Sequence, residues 1–411
     1  MQMIRVVGSN LVATAVRIVC QVLTTKIIAI MIGPSGLVIV GQIQNLISIL
    51  GTVASMGING GVVKLTAERP DGAERVWSTA LALAAAMVGV LLIAAIAMSR
   101  TLSTALMGDP GFAPVIMLIA GANVVTVIQA LLFHILTGLK AYRRYVIGSI
   151  CNSFLLLGLV ALAASLGGGG LILGAMALSQ ASQIVGAVLV SRGVARIRLR
   201  AFLAGIDPAC LRALWPFVWI GLATALTLPI SQMAVRANLI EATGAAFAGI
   251  WEAAFKLSAL YVSVLGAALG VYVLPTFSSL GDRSALRAEF LRVVAVLLGV
   301  LILGAAAQYL LRDVIIRGVY TAQFLPASEL YAIHIPGDIA RGLTFVVIML
   351  ATSRAMSGAV VIANLVFALA FVGLSLLWIP IAGGEGAARA YVVASVGGLV
   401  TSLALVWRRL W

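Results

Sequence analysis

Long uncharged apolar runs constrain the fold of this sequence more than any other feature. Ala80–Met98 and Val293–Ala307 contain no charged side chain, and the 411-residue chain is 62% hydrophobic but only 10% charged. A helix needs about 20 apolar residues to cross a bilayer, and a soluble globular chain is far less apolar than this one. The runs also lack the alternation of a membrane β-barrel. The sequence therefore predicts an all-α polytopic membrane protein.

Clusters of glycine, proline and charge divide the chain into about twelve predicted transmembrane helices. The first six cover residues 4–32, 37–65, 76–99, 112–139, 145–166 and 171–190, and the last six cover 214–239, 245–277, 288–311, 328–352, 356–379 and 387–406. A basic stretch at mid-chain separates the two sets, as an internal duplication would. We therefore expect an N-terminal six-helix bundle at residues 1–195, a basic cytoplasmic linker at 196–212 and a C-terminal six-helix bundle at 213–411.

The basic residues are distributed unevenly between the two sides of this topology. Of the 27 Lys and Arg residues, 18 lie at the two termini, in alternate loops or at the helix ends beside those loops, 5 lie in or beside the opposite loops, and 4 lie deeper inside predicted helices. Cytoplasmic loops of membrane proteins are enriched in Lys and Arg, so both termini are predicted to be cytoplasmic. This enrichment also accounts for the net charge of +14. The predicted topology has no basic helix outside the membrane that could bind nucleic acid, so we expect no nucleic-acid partner.

Polar side chains recur on one face of several predicted helices. Spacings of three and four residues place them on one side of an α-helix. In the first helix they are Asn10, Thr14, Arg17, Gln21 and Thr24, and in the second they are Gln42, Asn45, Ser48, Thr52, Ser55 and Asn59. Single Ser or Thr residues can simply join helices, but a charge at the centre of a membrane helix costs about 2.5–3.5 kcal/mol. Charges on such stripes in both halves predict a hydrated central cavity.

The charged residues on the stripes predict the sign of the net charge in this cavity. Glu252 precedes Lys256 by four residues and Asp338 precedes Arg341 by three, so each pair can neutralise itself on its own helix. Arg17 has no acidic partner on its stripe, which leaves the cavity positive and suited to a phosphate. The candidate diphosphate-binding residues are Arg17, Lys26, Lys64, Arg236, Lys256 and Arg341, and the candidate coupling or gating acids are Glu252 and Asp338. Lys26, Lys64 and Arg236 either line the cavity or extend to the membrane surface.

Short motifs along the whole chain resemble those of one family. They are Gly33-Pro34-Ser35-Gly36-Leu37, Gly61-Val62-Val63-Lys64, Gly249-Ile250-Trp251, Val271-Tyr272-Val273-Leu274-Pro275-Thr276, Leu310-Leu311-Arg312-Asp313, Gly337-Asp338 with Arg341, and Trp407-Arg408-Arg409. In order and spacing the chain resembles the Wzx-type flippases of lipid-linked oligosaccharides, and among them the lipid III flippases. This family belongs to the multidrug/oligosaccharidyl-lipid/polysaccharide exporter superfamily.

The resemblance implies the superfamily fold of two six-helix bundles and transport by alternating access. It implies that an undecaprenyl-diphosphate-linked oligosaccharide, such as lipid III or an O-antigen-like repeat unit, moves from the cytoplasmic to the periplasmic leaflet of a bacterial inner membrane. Lys64, Asp338 and Arg341 carry over by motif, whereas Arg17 and Lys256 depend on the stripes. Membrane lipid and polysaccharide-assembly proteins are the further partners implied.

Other functions stay open at this point. A cation-coupled multidrug exporter of the same superfamily would favour an anionic cavity, and a lipid II flippase usually has additional helices. A membrane glycosyltransferase or polymerase would need a large outward loop or an acidic cytoplasmic domain, which the predicted topology lacks, so we expect no enzyme. Two distant histidines and three scattered cysteines predict no metal site and no cofactor.

Overall fold

Eleven α-helices make up most of the part of the chain that the structure describes. The structure is a computed structural model that describes residues 2–410 except 69–71, 168, 193, 195–196, 198–199, 201, 203 and 355, and of residues 2–13 it describes the backbone. The helices are α1 (Gln2–Ala54), α2 (Asn59–Glu68), α3 (Glu74–Met107), α4 (Ala113–Gly138), α5 (Tyr142–Ser165), α6 (Gly169–Ser191), α7 (Pro208–Thr243), α8 (Ala245–Ser279), α9 (Arg283–Val319), α10 (Ala327–Ser353) and α11 (Ser357–Leu410).

Ten of these helices, all except α2, are long and apolar enough to cross a membrane. The prediction of an all-α polytopic membrane protein is therefore confirmed. The helices α1 and α11 contain 53 and 54 residues, which at 1.5 Å per residue is about 80 Å, more than twice the roughly 30 Å of hydrocarbon. Each has one non-helical glycine, Gly33 (φ 62°) and Gly383 (φ 54°). Divided at these glycines, the ten helices correspond to the twelve predicted segments.

The second predicted helix, residues 37–65, is not continuous. The helix α1 ends at Ala54, Met56 and Gly57 adopt positive φ angles of 49° and 65°, and α2 begins at Asn59. The backbone of Gly57 approaches that of α7 so closely that a Cβ atom on Gly57 would lie 2.7 Å from the nitrogen of Leu222. The break therefore allows two backbones to meet, and it interrupts the predicted polar stripe before its last member.

Contacts divide the chain into two compact units. The first comprises Met1–Met31 and Gln42–Pro229, and the second comprises Ile32–Gly41 and Ile230–Trp411. The first unit has a core around Trp77, whose indole N–H donates to Thr66 Oγ1 at 2.9 Å. The second has a core of α8, α9 and α10 residues that includes Phe277 and Leu301. The predicted linker at 196–212 includes several residues outside the described ones, and its described residues lie within the first unit. The division into two six-helix bundles stays a prediction.

The local sequence explains where two of the helices begin or end. At the start of α9, Asp282 accepts a hydrogen bond from the backbone N–H of Ala285 at 2.9 Å, as an N-cap residue should. The Ser284 hydroxyl also donates to this carboxylate, and this bond, together with the one from Ala285, lowers the pKa of Asp282. A different helix, α3, ends at its C-terminus with Gly108 (φ 75°), which adopts the left-handed conformation that glycine favours.

Candidate functional site

A polar cavity of about 390 Å³ lies inside the first unit, and we call it the Arg17 cavity. It is enclosed by α1, α4, α5 and α6. The residues that line it are Arg17, Cys20, Gln21, Gln44, Gln129, Phe133, Ser149, Asn152, Ser153, Leu156 and Gln183. The helices around it are strongly apolar, so a cavity lined by five amides, two hydroxyls and one guanidinium is suited to hold water or a polar ligand.

Arg17 is the one charged residue among those that line the cavity. Its side chain is exposed, and within the described residues it forms no ion pair. Gln21, one helical turn further along α1, lines the same cavity, so the stripe places these two side chains as predicted. The side chain of Asn10 lies outside the described residues. The Arg17 cavity therefore carries one positive charge and is built within one unit. The predicted central cavity with polar stripes from both halves stays a prediction.

Two amides of the cavity wall are buried without a hydrogen-bonding partner. Gln129 on α4 and Asn152 on α5 are each only 8% exposed, and neither forms a hydrogen bond with the described residues. The Asn152 Oδ1 atom is fully buried and faces Gly186 on α6, where a Cβ atom would lie 2.6 Å from it. Burying an amide without a partner costs about 1–3 kcal/mol. Such a cost is unusual in a structural core.

The two other candidate cations of the first unit have different surroundings. Lys26 is half-buried on α1 and is not among the described residues that line the Arg17 cavity. Lys64 lies on α2, where its side chain is 59% exposed and 3.8 Å from Glu68. Its ammonium also lies 5.8 Å from the centre of the Phe217 ring. Of the three candidate cations in this unit, the structure thus places only Arg17 at the cavity.

A buried cluster of three charges forms in the second unit. The Arg236 guanidinium on α7 donates to both carboxylate oxygens of Glu252 on α8, at 2.5 and 3.1 Å. Lys256 lies 3.7 Å from the same carboxylate, so the predicted pairing along α8 is confirmed. Arg236 also donates to the carbonyl of Gly41 at 3.4 Å. It is only 3% exposed, so it does not extend to the membrane surface.

The carboxylate of Asp338 on α10 is fully buried among hydroxyl groups. Its Oδ1 accepts hydrogen bonds from the Ser258 hydroxyl and from Tyr391 OH, the latter at 2.9 Å. The Arg341 guanidinium lies instead over the ring of Phe367, 4.2 Å from its centre. Asp338 and Arg341 attract each other electrostatically, as the spacing predicts, but they form no close ion pair among the described residues. Two hydroxyl groups hold Oδ1 of the carboxylate, Oδ2 is buried without a hydrogen-bonding partner, and an aromatic face attracts the cation.

Comparison with known proteins identifies the family of this chain. The family described as polysaccharide biosynthesis protein matches residues 4–281, which is more than half of the sequence. The chain belongs to this family. Two relatives of this chain are the lipid III flippases of Escherichia coli (strain K12) and Shigella flexneri. Each is 28% identical over 408 residues, which cover 97% of both chains.

Solved structures show that this chain has the predicted superfamily fold. An inward-facing multidrug resistance transporter of the MATE family, of the MOP superfamily, aligns with a TM-score of 0.78 and 14% identity over 98% of each chain. The lipid II flippase MurJ, in an inward closed conformation, aligns with a TM-score of 0.75 and 14% identity. The alignment covers 98% of this chain and 87% of that one. A MOP superfamily transporter from Pyrococcus furiosus aligns with a TM-score of 0.71 and 15% identity, over 99% of this chain and 95% of that one.

The sequence did not reveal most of the wall of the Arg17 cavity. Gln129, Asn152 and Gln183 lie on three different helices and form no stripe along the chain, so periodicity could not find them. A usable signal is the rarity of amides in these otherwise apolar segments. Such a residue needs either a partner helix or a ligand, and only the three-dimensional arrangement tells which.

Proposed function

We propose that this protein is a flippase for an undecaprenyl-diphosphate-linked oligosaccharide, such as lipid III or an O-antigen-like repeat unit. It moves this lipid from the cytoplasmic to the periplasmic leaflet of a bacterial inner membrane by alternating access. No covalent bond is made or broken, so the protein is not an enzyme. Support comes from the family and from relatives that are named as lipid III flippases and align over 97% of both chains.

The observation that carries this proposal is the positive charge of the Arg17 cavity. A cation in a polar cavity within an apolar bundle attracts an anion, and the planar guanidinium is well suited to a phosphate. The surrounding amides and hydroxyls suit the glycan that the diphosphate bears. The prenyl chain needs no protein cavity, because it is as apolar as the lipid around it.

The remaining candidate cations contribute to different extents under this proposal. Arg236 has both of its hydrogen bonds to Glu252 in place, which supports a structural role rather than direct cargo binding. Lys256 is 19% exposed and Arg341 is half-buried over Phe367, so both can still reach an anion. Glu252 and Asp338 remain the proposed gating acids, and Glu252 is positioned to compete with a diphosphate for Lys256.

A cation-coupled multidrug exporter is the second candidate, because a MATE-family transporter has the same fold. At 14% identity this likeness concerns the fold alone. The Arg17 cavity argues against cationic drugs, because its single charge would repel them. Efflux of a cationic dye that depends on Arg17 would favour this alternative over the flippase.

The distribution of Lys and Arg supports cytoplasmic termini as part of the proposal. We expect a fluorescent protein fused after Trp411 to fluoresce in the cytoplasm. Alkaline phosphatase inserted within residues 167–170 should be active in the periplasm, because an odd number of crossings separates the two sites. Reporter activity that places both sites on the same side would contradict this topology.

Replacing Arg17 tests the proposed function directly. In proteoliposomes that contain a fluorescent prenyl-diphosphate-linked oligosaccharide, we expect Arg17→Ala to slow translocation about 10- to 100-fold. This is the loss expected for hydrogen bonds to a charged group, about 1.5–3 kcal/mol. Arg17→Lys should retain part of the rate, because it keeps the charge but loses the planar fork. Leaflet distribution of the probe, measured by quenching from outside, gives the rate.

Arg100 offers a matched control for this experiment. It is an exposed arginine near the end of α3 and does not line the Arg17 cavity, so Arg100→Ala should translocate the probe at the wild-type rate. Wild-type protein that moves the probe no faster than empty liposomes would refute the proposed function. Arg17→Ala at the wild-type rate would remove Arg17 from the binding site.

A further inference from the structure

We propose that the wall of the Arg17 cavity formed by α4, α5 and α6 is a saccharide subsite, in which Gln129, Asn152 and Gln183 recognise the glycan of the cargo. This inference rests on the proposed function and deepens it. It assigns the choice between glycans to three uncharged amides and leaves the anion to Arg17 on α1.

The buried amides point to a ligand because the protein supplies them with no partner. Gln129 and Asn152 are each 8% exposed and line the cavity, yet neither forms a hydrogen bond with a described residue. Other buried amides of the first unit do find partners. Asn123 is 5% exposed and donates to the carbonyl of Leu50 at 3.3 Å, and Gln42 donates to the carbonyl of Leu106 at 3.2 Å. The Gln42 Oε1 atom is itself buried without a partner, but Gln129 and Asn152 differ from both of these amides because they form no hydrogen bond at all with the described residues.

The chemistry of the wall matches a sugar better than a phosphate. A primary amide offers two donors and one acceptor oxygen, and a sugar hydroxyl both donates and accepts. A sugar can therefore pair with both ends of the Gln129 amide and with the NH2 group of Asn152, whose Oδ1 is closed off against Gly186. An ionised diphosphate only accepts hydrogen bonds and would leave the amide oxygen of Gln129 unpaired. Ser149 and Ser153 add hydroxyl groups to this wall, and Phe133 adds an apolar ring against which the C–H groups of a sugar can pack.

The test compares binding of two soluble probes to the purified protein in nanodiscs. One probe is a short-chain prenyl diphosphate without sugar, and the other is the same lipid carrying N-acetylglucosamine. For Asn152→Leu we expect affinity for the glycosylated probe to fall about 3- to 10-fold, the effect of one neutral hydrogen bond, while affinity for the bare diphosphate stays unchanged. The thermal stability of the empty protein should stay the same or increase, because an unpartnered buried amide is replaced by an apolar group of similar shape. Gln129→Leu should behave in the same way.

Asn123→Leu is the matched control, because it removes a buried amide of the same unit that already has a partner. It should lower thermal stability and leave the preference between the two probes unchanged. Equal loss of affinity for both probes in Asn152→Leu and Gln129→Leu, or loss for neither, would overturn the saccharide subsite and leave a cavity that holds water or an anion. Selectivity that depends on Asn152 in a protein that translocates neither lipid would keep the subsite and refute the flippase.

Discussion

Replacing Glu252 with Gln is expected to lower the free energy of unfolding by about 3–5 kcal/mol, the usual cost of removing one partner from a buried ion pair. The carboxylate has no exposed surface, and it holds the guanidinium of Arg236, which is 3% exposed. Neutral glutamine cannot balance the charges of Arg236 and Lys256, so two cations would stay in a low-dielectric interior. Thermal unfolding in detergent, followed by the fluorescence of a thiol-reactive dye, measures the loss.

The exposed pair Glu385–Arg389 provides the control for this prediction. Its nitrogen and oxygen are 2.8 Å apart, but the two side chains are 50% and 59% exposed. Removing an exposed pair costs at most about 1 kcal/mol, so Glu385→Gln should unfold almost like the wild type. The double variant Arg236→Gln/Glu252→Gln should recover part of the loss, because neither charge of that pair then stays buried alone. If Glu252→Gln is as mild as Glu385→Gln, the buried cluster does not exist as described.

Replacing Gly249 with Ala should also be severely destabilising, by about 3 kcal/mol or more, because the added methyl group meets backbone rather than a mobile side chain. A Cβ atom on Gly249 would lie 2.9 Å from the Cα of Pro34 and would overlap the Pro34 carbonyl group. The α8 helix and the start of the second half of α1 therefore cross at a point where only glycine fits. The yield of folded protein after detergent extraction, measured by size-exclusion chromatography, reports the effect.

Gly299 in α9 shows what the same change does in open space. No atom lies within 4 Å of a Cβ placed there, so Gly299→Ala should leave the yield unchanged or raise it, since alanine is the better helix former. Equal yields for Gly249→Ala and Gly299→Ala would show that the crossing of Pro34 and Gly249 can open without cost.

Hydropathy predicted the helices well because each crossing must be apolar over a fixed length. The predicted range 112–139 became Ala113–Gly138, and 328–352 became Ala327–Ser353. Prediction failed at the break around Gly57, because the apolar run continues through it and the reason for the break lies on α7. A contact with a residue far along the chain leaves no trace in local composition.

The candidate site was predictable only where its residues share one helix. The stripe in α1 located Arg17 and Gln21, and the four-residue spacing located the pair of Glu252 and Lys256. The stronger partner of Glu252 is Arg236 on the preceding helix, and no spacing rule connects these two helices. The same limit explains why the Asp338 hydroxyl partners, Ser258 and Tyr391, were missed, since they lie on two other helices.

The way the chain alternates between its two units has a consequence for expressing it in pieces. Residues 32–41 belong to the second unit although they precede most of the first, and residues 213–229 belong to the first unit although they follow the predicted linker. A cut at 196–212 would therefore give two fragments that each carry a segment of the other's unit. Neither fragment could complete its own core, so the halves should accumulate only when they are synthesised together and exchange these segments.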